Sequence, residues 1–165
     1  MDRLELVRDS LDRILTTSDT GPARLRTELA SYIRFPQKER TYRRQWLFFE
    51  KGIFEILLLC WRPGACSPVH DHGGSAGVDC VLDGRMFEET YNLDPMGDEG
   101  YRPILRAKRG HRAGDVLLFS GQMVHAVSNP ADLGTNLITL NVYIPHLDLA
   151  SIEVYDDWLF HRSVG

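Results

Sequence analysis

The chain has 165 residues, of which 43% are hydrophobic and 25% are charged, as is ordinary for one globular domain with a sizeable core. Its 19 basic and 23 acidic side chains give a net charge of -4, which provides no electrostatic footprint for nucleic acid or an anionic membrane. No apolar run is long enough to span a bilayer, and the first ten residues lack the apolar stretch of a signal peptide. We therefore expect a cytoplasmic monomer with no nucleic-acid or membrane partner.

Residues 1–36 have the pattern of two helices. Apolar residues recur at helical spacing within 4–15, and a polar break follows them. A second apolar face with the same spacing runs through 25–33. We expect both helices to pack outside a β domain that begins near residue 42, so that residues 1–165 form a single domain.

From about residue 42 to residue 165, short apolar runs alternate with turns, which predicts a β-barrel followed by C-terminal strands. The predicted strands are 54–61, 78–82, 85–91, 115–120 and 136–144. Asp83 and Gly84 separate the second and third runs and have the composition of a two-residue hairpin turn. Several short strands with regular turns predict a mainly β, antiparallel barrel or sandwich. A basic cluster is interpreted as a solvated turn face: Arg106, Lys108, Arg109 and Arg112.

Two of the six histidines, His70 and His72, are separated by one residue. In an extended chain, side chains two residues apart point to the same side, so both imidazoles can bind one metal ion while Asp71 points away. A bare pair of this kind is more often two solvated loop histidines. Its surroundings in this sequence favour the metal site.

Glycines and a third histidine flank the pair at a recognisable spacing. The run containing Gly64, His70, His72 and Gly84, and a second run containing Gly114, His125 and Asn129, resemble the two-part cupin signature. Ser120 and Gln122 replace a proline and a glycine of its second part. The resemblance implies a double-stranded β-helix, or jelly-roll barrel, with His70, His72 and His125 as metal ligands.

The glutamate of that signature is missing, because Gly77 lies at its position, five residues after His72. The site would then contain three neutral imidazoles and no carboxylate. Such a ligand set leaves the charge of the ion uncompensated and positions beside it open. An anionic substrate that chelates the ion suits this site, and a thiolate supplies the negative charge directly.

The stretch from residue 35 to residue 156, which includes the run YRRQWLFFEKGIFEILLLCW, resembles the cysteine dioxygenases. Members of this family are cupins that hold Fe(II) on three histidines and convert L-cysteine and dioxygen to cysteine sulfinic acid. The resemblance therefore implies Fe(II) on His70, His72 and His125. It also implies that the thiolate and amine of cysteine chelate the ion, with dioxygen beside the sulfur.

The resemblance also assigns the substrate carboxylate to Arg44, with Tyr42 two residues before it. Cysteine dioxygenases have arginine at this position, whereas the related mercaptopropionate dioxygenases have glutamine. A guanidinium can bind a carboxylate with two charge-assisted hydrogen bonds, which gives this difference a physical basis.

Three residues on one strand face occupy the positions of the outer-sphere Ser-His-Tyr triad of the family: Thr139, Asn141 and Tyr143. Asn141 can form hydrogen bonds but cannot titrate as the family's histidine does. Gly77 lies at the position of the cysteine that is crosslinked to the tyrosine in mammalian members. Cys80 lies three residues further on, and this odd offset directs it to the opposite face, so we expect an uncrosslinked Tyr143.

Other functions remain open at this point. One is a dioxygenase for another small thiol acid, 3-mercaptopropionate or mercaptosuccinate; Arg44 argues against mercaptopropionate, and Asn141 leaves the question open. A second is a non-catalytic metal-binding cupin that senses a small ligand. A third, a metal-dependent cupin isomerase, would more naturally retain the carboxylate that is missing at Gly77.

Overall fold

The computed structural model describes residues 42–97 and 100–155, so the predicted N-terminal helices lie outside the described residues. The described part contains a 3-10 helix at Ala131–Leu133 and eight β-strands: β1 Tyr42–Glu50, β2 Phe54–Trp61, β3 Ala76–Asp83, β4 Arg85–Pro95, β5 Tyr101–Arg112, β6 Val116–Phe119, β7 Val124–Ser128 and β8 Leu137–Ile144. Within this part of the chain, no helix has the length and apolar composition needed to cross a membrane.

The strands form two antiparallel sheets, which confirms the mainly β fold that the sequence predicts. A five-stranded sheet has the order β1-β2-β8-β3-β6, and a three-stranded sheet has the order β5-β4-β7. Strands that are neighbours in space are mostly distant in the chain: β2 pairs with β8, and β3 pairs with both β8 and β6. These long-range pairings bring the β2–β3 connection next to β7.

Side chains alternate along β2, β3 and β8 and form two apolar clusters, one on each face of the larger sheet. The interior cluster contains residues from both sheets: Leu57, Leu59, Trp61, Ala65, Val81, Met86, Phe119, Val127, Leu137 and Tyr143. The outer cluster contains residues of the larger sheet: Leu58, Cys60, Val78, Cys80, Leu82, Ile138, Leu140 and Val142. Because both faces are buried, these strands have continuous apolar sequences.

The turn at Asp83 and Gly84 connects the two sheets, and the predicted hairpin is wrong. β3 pairs with β6 and β8, whereas β4 pairs with β5 and β7. The register of β3 against β8 shifts between Val81 and Asp83, and Gly84 has a φ of 82°. A Cβ at Gly84 would lie 2.5 Å from the backbone oxygen of Asn136. Glycine therefore permits both the sharp corner and the close approach of the chain.

A hairpin does join β4 and β5, which pair from Arg85 with Arg112 to Pro95 with Tyr101. The sequence does not predict β5, because most of its residues are exposed and it lacks an apolar pattern. The basic cluster therefore lies on a strand and not on a turn. Its four side chains are exposed, as expected.

Candidate metal centre and active site

His70 and His125 are held by one antiparallel bridge between two chain segments. The backbone N–H of each donates to the carbonyl oxygen of the other, and both N–O distances are 2.9 Å. His125 belongs to β7, and His70 lies in the β2–β3 connection, followed two residues later by His72. Between these two histidines, the Asp71 side chain instead accepts a hydrogen bond from the Glu153 N–H at 2.9 Å.

The imidazoles of His70, His72 and His125 form a compact triangle. Their ring centroids lie 5.2 Å apart for His70 and His72, 5.0 Å for His70 and His125, and 4.8 Å for His72 and His125. One nitrogen of each ring lies within 4.8 Å of those of the other two. The structure thus brings together the three histidines that the sequence singles out, and three imidazoles can bind one first-row metal ion.

Hydrogen bonds fix the orientation of two of these rings. The Nδ1 atom of His70 lies 2.9 Å from the carbonyl oxygen of Pro68, and that of His125 lies 2.9 Å from Oε1 of Glu88. Both partners are acceptors, so Nδ1 carries the proton and the lone pair of Nε2 is left for a metal ion. Although burial favours the neutral acid, the hydrogen bond with His125 holds the pKa of Glu88 below its ordinary value.

Burial keeps two of the imidazoles neutral. It lowers the pKa of His70 to about 4, with a further contribution from His125, and it lowers the pKa of His72 to about 2, with contributions from His125 and His70. A protonated imidazole cannot bind a metal ion, and these shifts leave the lone pairs available at neutral pH. The donor set therefore fits a divalent first-row metal ion.

A cavity of about 210 Å³ opens beside the histidine triangle. All three histidines line it, and so does Arg44 of β1, which lies opposite Leu59 in the register. Tyr42 begins β1 opposite Trp61, and its side chain lies outside the described residues. The volume is smaller than the roughly 300–1,000 Å³ of sites for drug-sized ligands, so the cavity suits a small substrate.

The wall formed by β8 is polar and hydrogen-bonded. Thr139 and Asn141 are 1% and 4% exposed, and the Thr139 hydroxyl donates to Oδ1 of Asn141 at 2.8 Å. The Asn141 amide donates in turn to Asp79 of β3. Tyr143 is also buried, and its ring centroid lies 5.8 Å from that of His72. All three residues singled out on β8 therefore line the same cavity as the histidines.

A comparison with protein families shows which family the chain belongs to. The family model described as cysteine dioxygenase type I matches residues 17–157. The chain belongs to the cysteine dioxygenase type I family. Rat cysteine dioxygenase type 1 is 24% identical over 156 residues, which cover 94% of this chain and 72% of the rat protein.

Solved structures support the cupin fold of this cysteine dioxygenase family member. A protein with a double-stranded β-helix domain from Klebsiella pneumoniae is 17% identical with a TM-score of 0.56, covering 78% of this chain and 88% of its own. A cupin-2 domain from Rhodospirillum rubrum is 21% identical with a TM-score of 0.55, covering 79% and 85%. At such identities these two structures support the fold alone.

Gly77, which lies at the position of the family's crosslinked cysteine, leaves space for an aromatic ring beside the histidine triangle. Phe119 pairs with Gly77 in the register of β3 and β6, and its ring stacks on His72 at 4.3 Å. A Cβ at Gly77 would lie 2.2 Å from Cζ of Phe119 and 2.2 Å from the backbone oxygen of Val142. The volume that the family's cysteine would need is therefore occupied by Phe119.

His111, His146 and Cys80 lie outside the triangle. Cys80 belongs to the outer cluster, whereas Tyr143 belongs to the interior cluster, on the other face of the sheet. His111 lies on β5, where its Nε2 is 3.6 Å from Glu88, and His146 accepts a hydrogen bond from the Gly52 N–H at 2.8 Å. The absence of a crosslink remains a prediction.

The sequence analysis missed two buried carboxylates of the site, Glu88 and Asp79. Glu88 holds His125, yet it lies on a strand with neighbouring polar residues and has no distinguishing signal. Asp79 did have a signal, because it interrupts the apolar run GVDCVL at the same parity as Gly77. A carboxylate at an inward position of a buried strand indicates a functional or hydrogen-bonded role.

We predict that His125→Ala loses iron, because one of three imidazole ligands is removed and Glu88 is left without its partner. Iron content after anaerobic Fe(II) loading and gel filtration should fall by at least about tenfold. His146→Ala is the matched control, since it removes a histidine outside the triangle and should retain iron. One iron per chain in His125→Ala would contradict the assignment of the ligand.

We predict that Gly77→Ala lowers the free energy of unfolding by about 1–3 kcal/mol, because the added methyl group overlaps Phe119 and a backbone oxygen that cannot move freely. Urea denaturation measures the change. Gly110→Ala is the matched control, since the nearest atom to its Cβ is a ring carbon of Phe87 at 3.4 Å. Equal stability of the two variants would contradict the close packing at Gly77.

Proposed function

We propose that this chain is an Fe(II)-dependent enzyme that adds dioxygen to the thiol of L-cysteine and produces cysteine sulfinic acid. One observation carries the proposal: three imidazoles form a triangle at the wall of a small cavity that Arg44 also lines. Membership of the cysteine dioxygenase type I family gives this geometry its chemistry. The family consists of non-haem iron enzymes that act on a small thiol and dioxygen.

The proposed ligands of Fe(II) are His70, His72 and His125. When bound, Fe(II) supplies the redox chemistry between the thiolate and dioxygen, as is usual for such a cofactor. The chain itself contributes the orientation of the imidazoles, because Pro68 and Glu88 fix two of the rings. Phe119 stacks on His72 and covers one face of its ring.

Arg44 is proposed to bind the substrate carboxylate, with Tyr42 as its neighbour in that task. Arg44 of β1 lines the cavity together with Thr139 of β8, and β2 lies between these two strands in the same sheet. A guanidinium that binds a carboxylate with two hydrogen bonds fixes both the position and the direction of a small substrate. Such positioning of the thiol beside the reacting partner accounts for much of the acceleration expected of the site.

Tyr143, Asn141 and Thr139 are proposed as outer-sphere residues that surround the substrate. Tyr143 is buried, and its ring centroid lies 5.8 Å from that of His72. Thr139 and Asn141 are joined by a hydrogen bond and give the wall a fixed polarity. Asn141 has no titratable group, so proton transfer through the family's histidine has no counterpart at this position.

The function is tested by loading the protein with Fe(II) under anaerobic conditions and supplying a panel of thiols. The panel contains L-cysteine, cysteamine, 3-mercaptopropionate and mercaptosuccinate, and the measurements are oxygen uptake and sulfinate by mass spectrometry. We predict the highest kcat/KM for L-cysteine, with one dioxygen consumed per sulfinate formed. A higher kcat/KM for another thiol acid would identify that compound as the substrate in place of L-cysteine. Iron binding without oxygen uptake on any thiol would indicate a non-catalytic cupin.

We predict that Arg44→Ala lowers kcat/KM for L-cysteine by about 10–100-fold, because hydrogen bonds to charged groups contribute about 1.5–3 kcal/mol. Activity on cysteamine, which lacks a carboxylate, should change by less than about threefold. Arg44→Lys retains the charge but not the paired donors, so its loss on L-cysteine should be intermediate. Equal losses on both thiols would mean that Arg44 has a structural role.

A further inference from the structure

Asp79 is a buried carboxylate in the wall of the cavity. It lies on β3, where it pairs with Asn141 of β8, and it is 4% exposed. Its neighbours at the same parity, Gly77 and Val81, also face the space between the sheets, and Asp79 lines the cavity with the three histidines. Burying a carboxylate is costly unless it is hydrogen-bonded, so its partners indicate its role.

A directed chain of hydrogen bonds ends at Asp79. The indole N–H of Trp61 can only donate, and it donates to the Thr139 hydroxyl oxygen at 3.2 Å. The hydroxyl proton is then used in the 2.8 Å bond to Oδ1 of Asn141. This fixes the orientation of the amide, whose Nδ2 donates to Oδ1 of Asp79. Every bond in the chain runs in one direction, from Trp61 towards the carboxylate.

At its Asp79 end, this chain of hydrogen bonds presents an acceptor to the cavity and no donor. Among the described residues, Asn141 supplies the one hydrogen bond that reaches the Asp79 carboxyl, at Oδ1. The second oxygen, Oδ2, remains available to the cavity that Asp79 lines. A group that binds there must therefore be a hydrogen-bond donor, and a positively polarised donor is favoured most.

We propose that Oδ2 of Asp79 accepts a hydrogen bond from the amino group of the substrate, which makes Asp79 a specificity-determining residue. The proposal rests on the proposed thiol dioxygenase function and names the residue that selects thiols with an amino group. Arg44 and Asp79 provide one cationic and one anionic group in the same cavity. This pair matches the carboxylate and the N–H donors of an amino acid.

The charge of Asp79 agrees with this role. Burial raises its pKa to about 6, against the opposing effects of His125 and of the hydrogen bond from Asn141. The carboxyl is therefore mostly ionised at neutral pH and attracts an amino group. A thiol acid without an amino group, such as 3-mercaptopropionate, leaves Oδ2 of this carboxylate without a donor, and a substrate with a second carboxylate there is repelled.

The test uses the full-length, Fe(II)-loaded protein under anaerobic conditions, with binding of each thiol measured by isothermal titration calorimetry. Asp79→Asn keeps the size of the side chain and removes its charge. It should weaken binding of L-cysteine and of cysteamine by about tenfold or more, and change binding of 3-mercaptopropionate by less than about twofold. Arg44→Ala should show the opposite selectivity, with cysteamine spared. Asp115→Asn, at a turn outside the cavity, is the matched control and should leave all three affinities unchanged.

Equal losses on the three thiols in Asp79→Asn would overturn the proposal, because they would indicate general support of the wall. The wild-type protein provides a test that does not depend on folding of a variant. It should bind L-cysteine at least about tenfold more tightly than 3-mercaptopropionate, and equal affinities would overturn the role of Asp79. If this selectivity is present without oxygen uptake, the role of Asp79 stands and the proposed dioxygenase function fails.

Discussion

The antiparallel bridge between His70 and His125 is the constraint on which the site depends. The two residues are far apart in the chain, and two backbone hydrogen bonds of 2.9 Å hold them side by side. His72 then reaches the same point because it lies two residues further along the extended connection. The bridge in turn requires β7 to pair with β4 and the β2–β3 connection to reach across the opening between the sheets. A metal site of three imidazoles is thus a consequence of sheet pairing.

Much of this fold could be predicted from the sequence, because its buried strands are continuous apolar runs. The run 54–61 became β2, and the run 136–144 contains β8. The signal at Asp83 and Gly84 predicts a hairpin that the structure does not contain, since a short turn with glycine suits a corner between sheets as well as a hairpin. Only the pairing partners distinguish the two, and these are long-range contacts. β5 could not be predicted, because its side chains are largely exposed and its sequence has no apolar pattern.

Some residues of the candidate site could likewise be predicted from the sequence, and others could not. The three histidines could be predicted, because their spacing relative to glycines resembles the cupin signature. Glu88 and Phe119 could not, since each acts through a partner from another strand, His125 and His72 respectively. Arg44 was predicted through the family resemblance, as no local pattern distinguishes a cavity arginine from a surface arginine on an edge strand.

The two carboxylates explain how the site tolerates a ligand set without one. Three neutral imidazoles leave the two positive charges of a divalent ion uncompensated, and desolvation makes such a charge costly. Glu88 of β4 reduces this cost through its hydrogen bond to His125. Asp79, on β3 of the other sheet, interacts electrostatically with the same imidazole. Neither carboxylate belongs to the histidine triangle, so an ion held there would keep its other positions for a substrate. A ligating carboxylate at the position of Gly77 would compensate the charge but would take one of those positions, and Phe119 already fills the volume it would need. Negative charge is therefore placed beside the histidine triangle and not within it, an arrangement compatible with the small thiol on which this family acts.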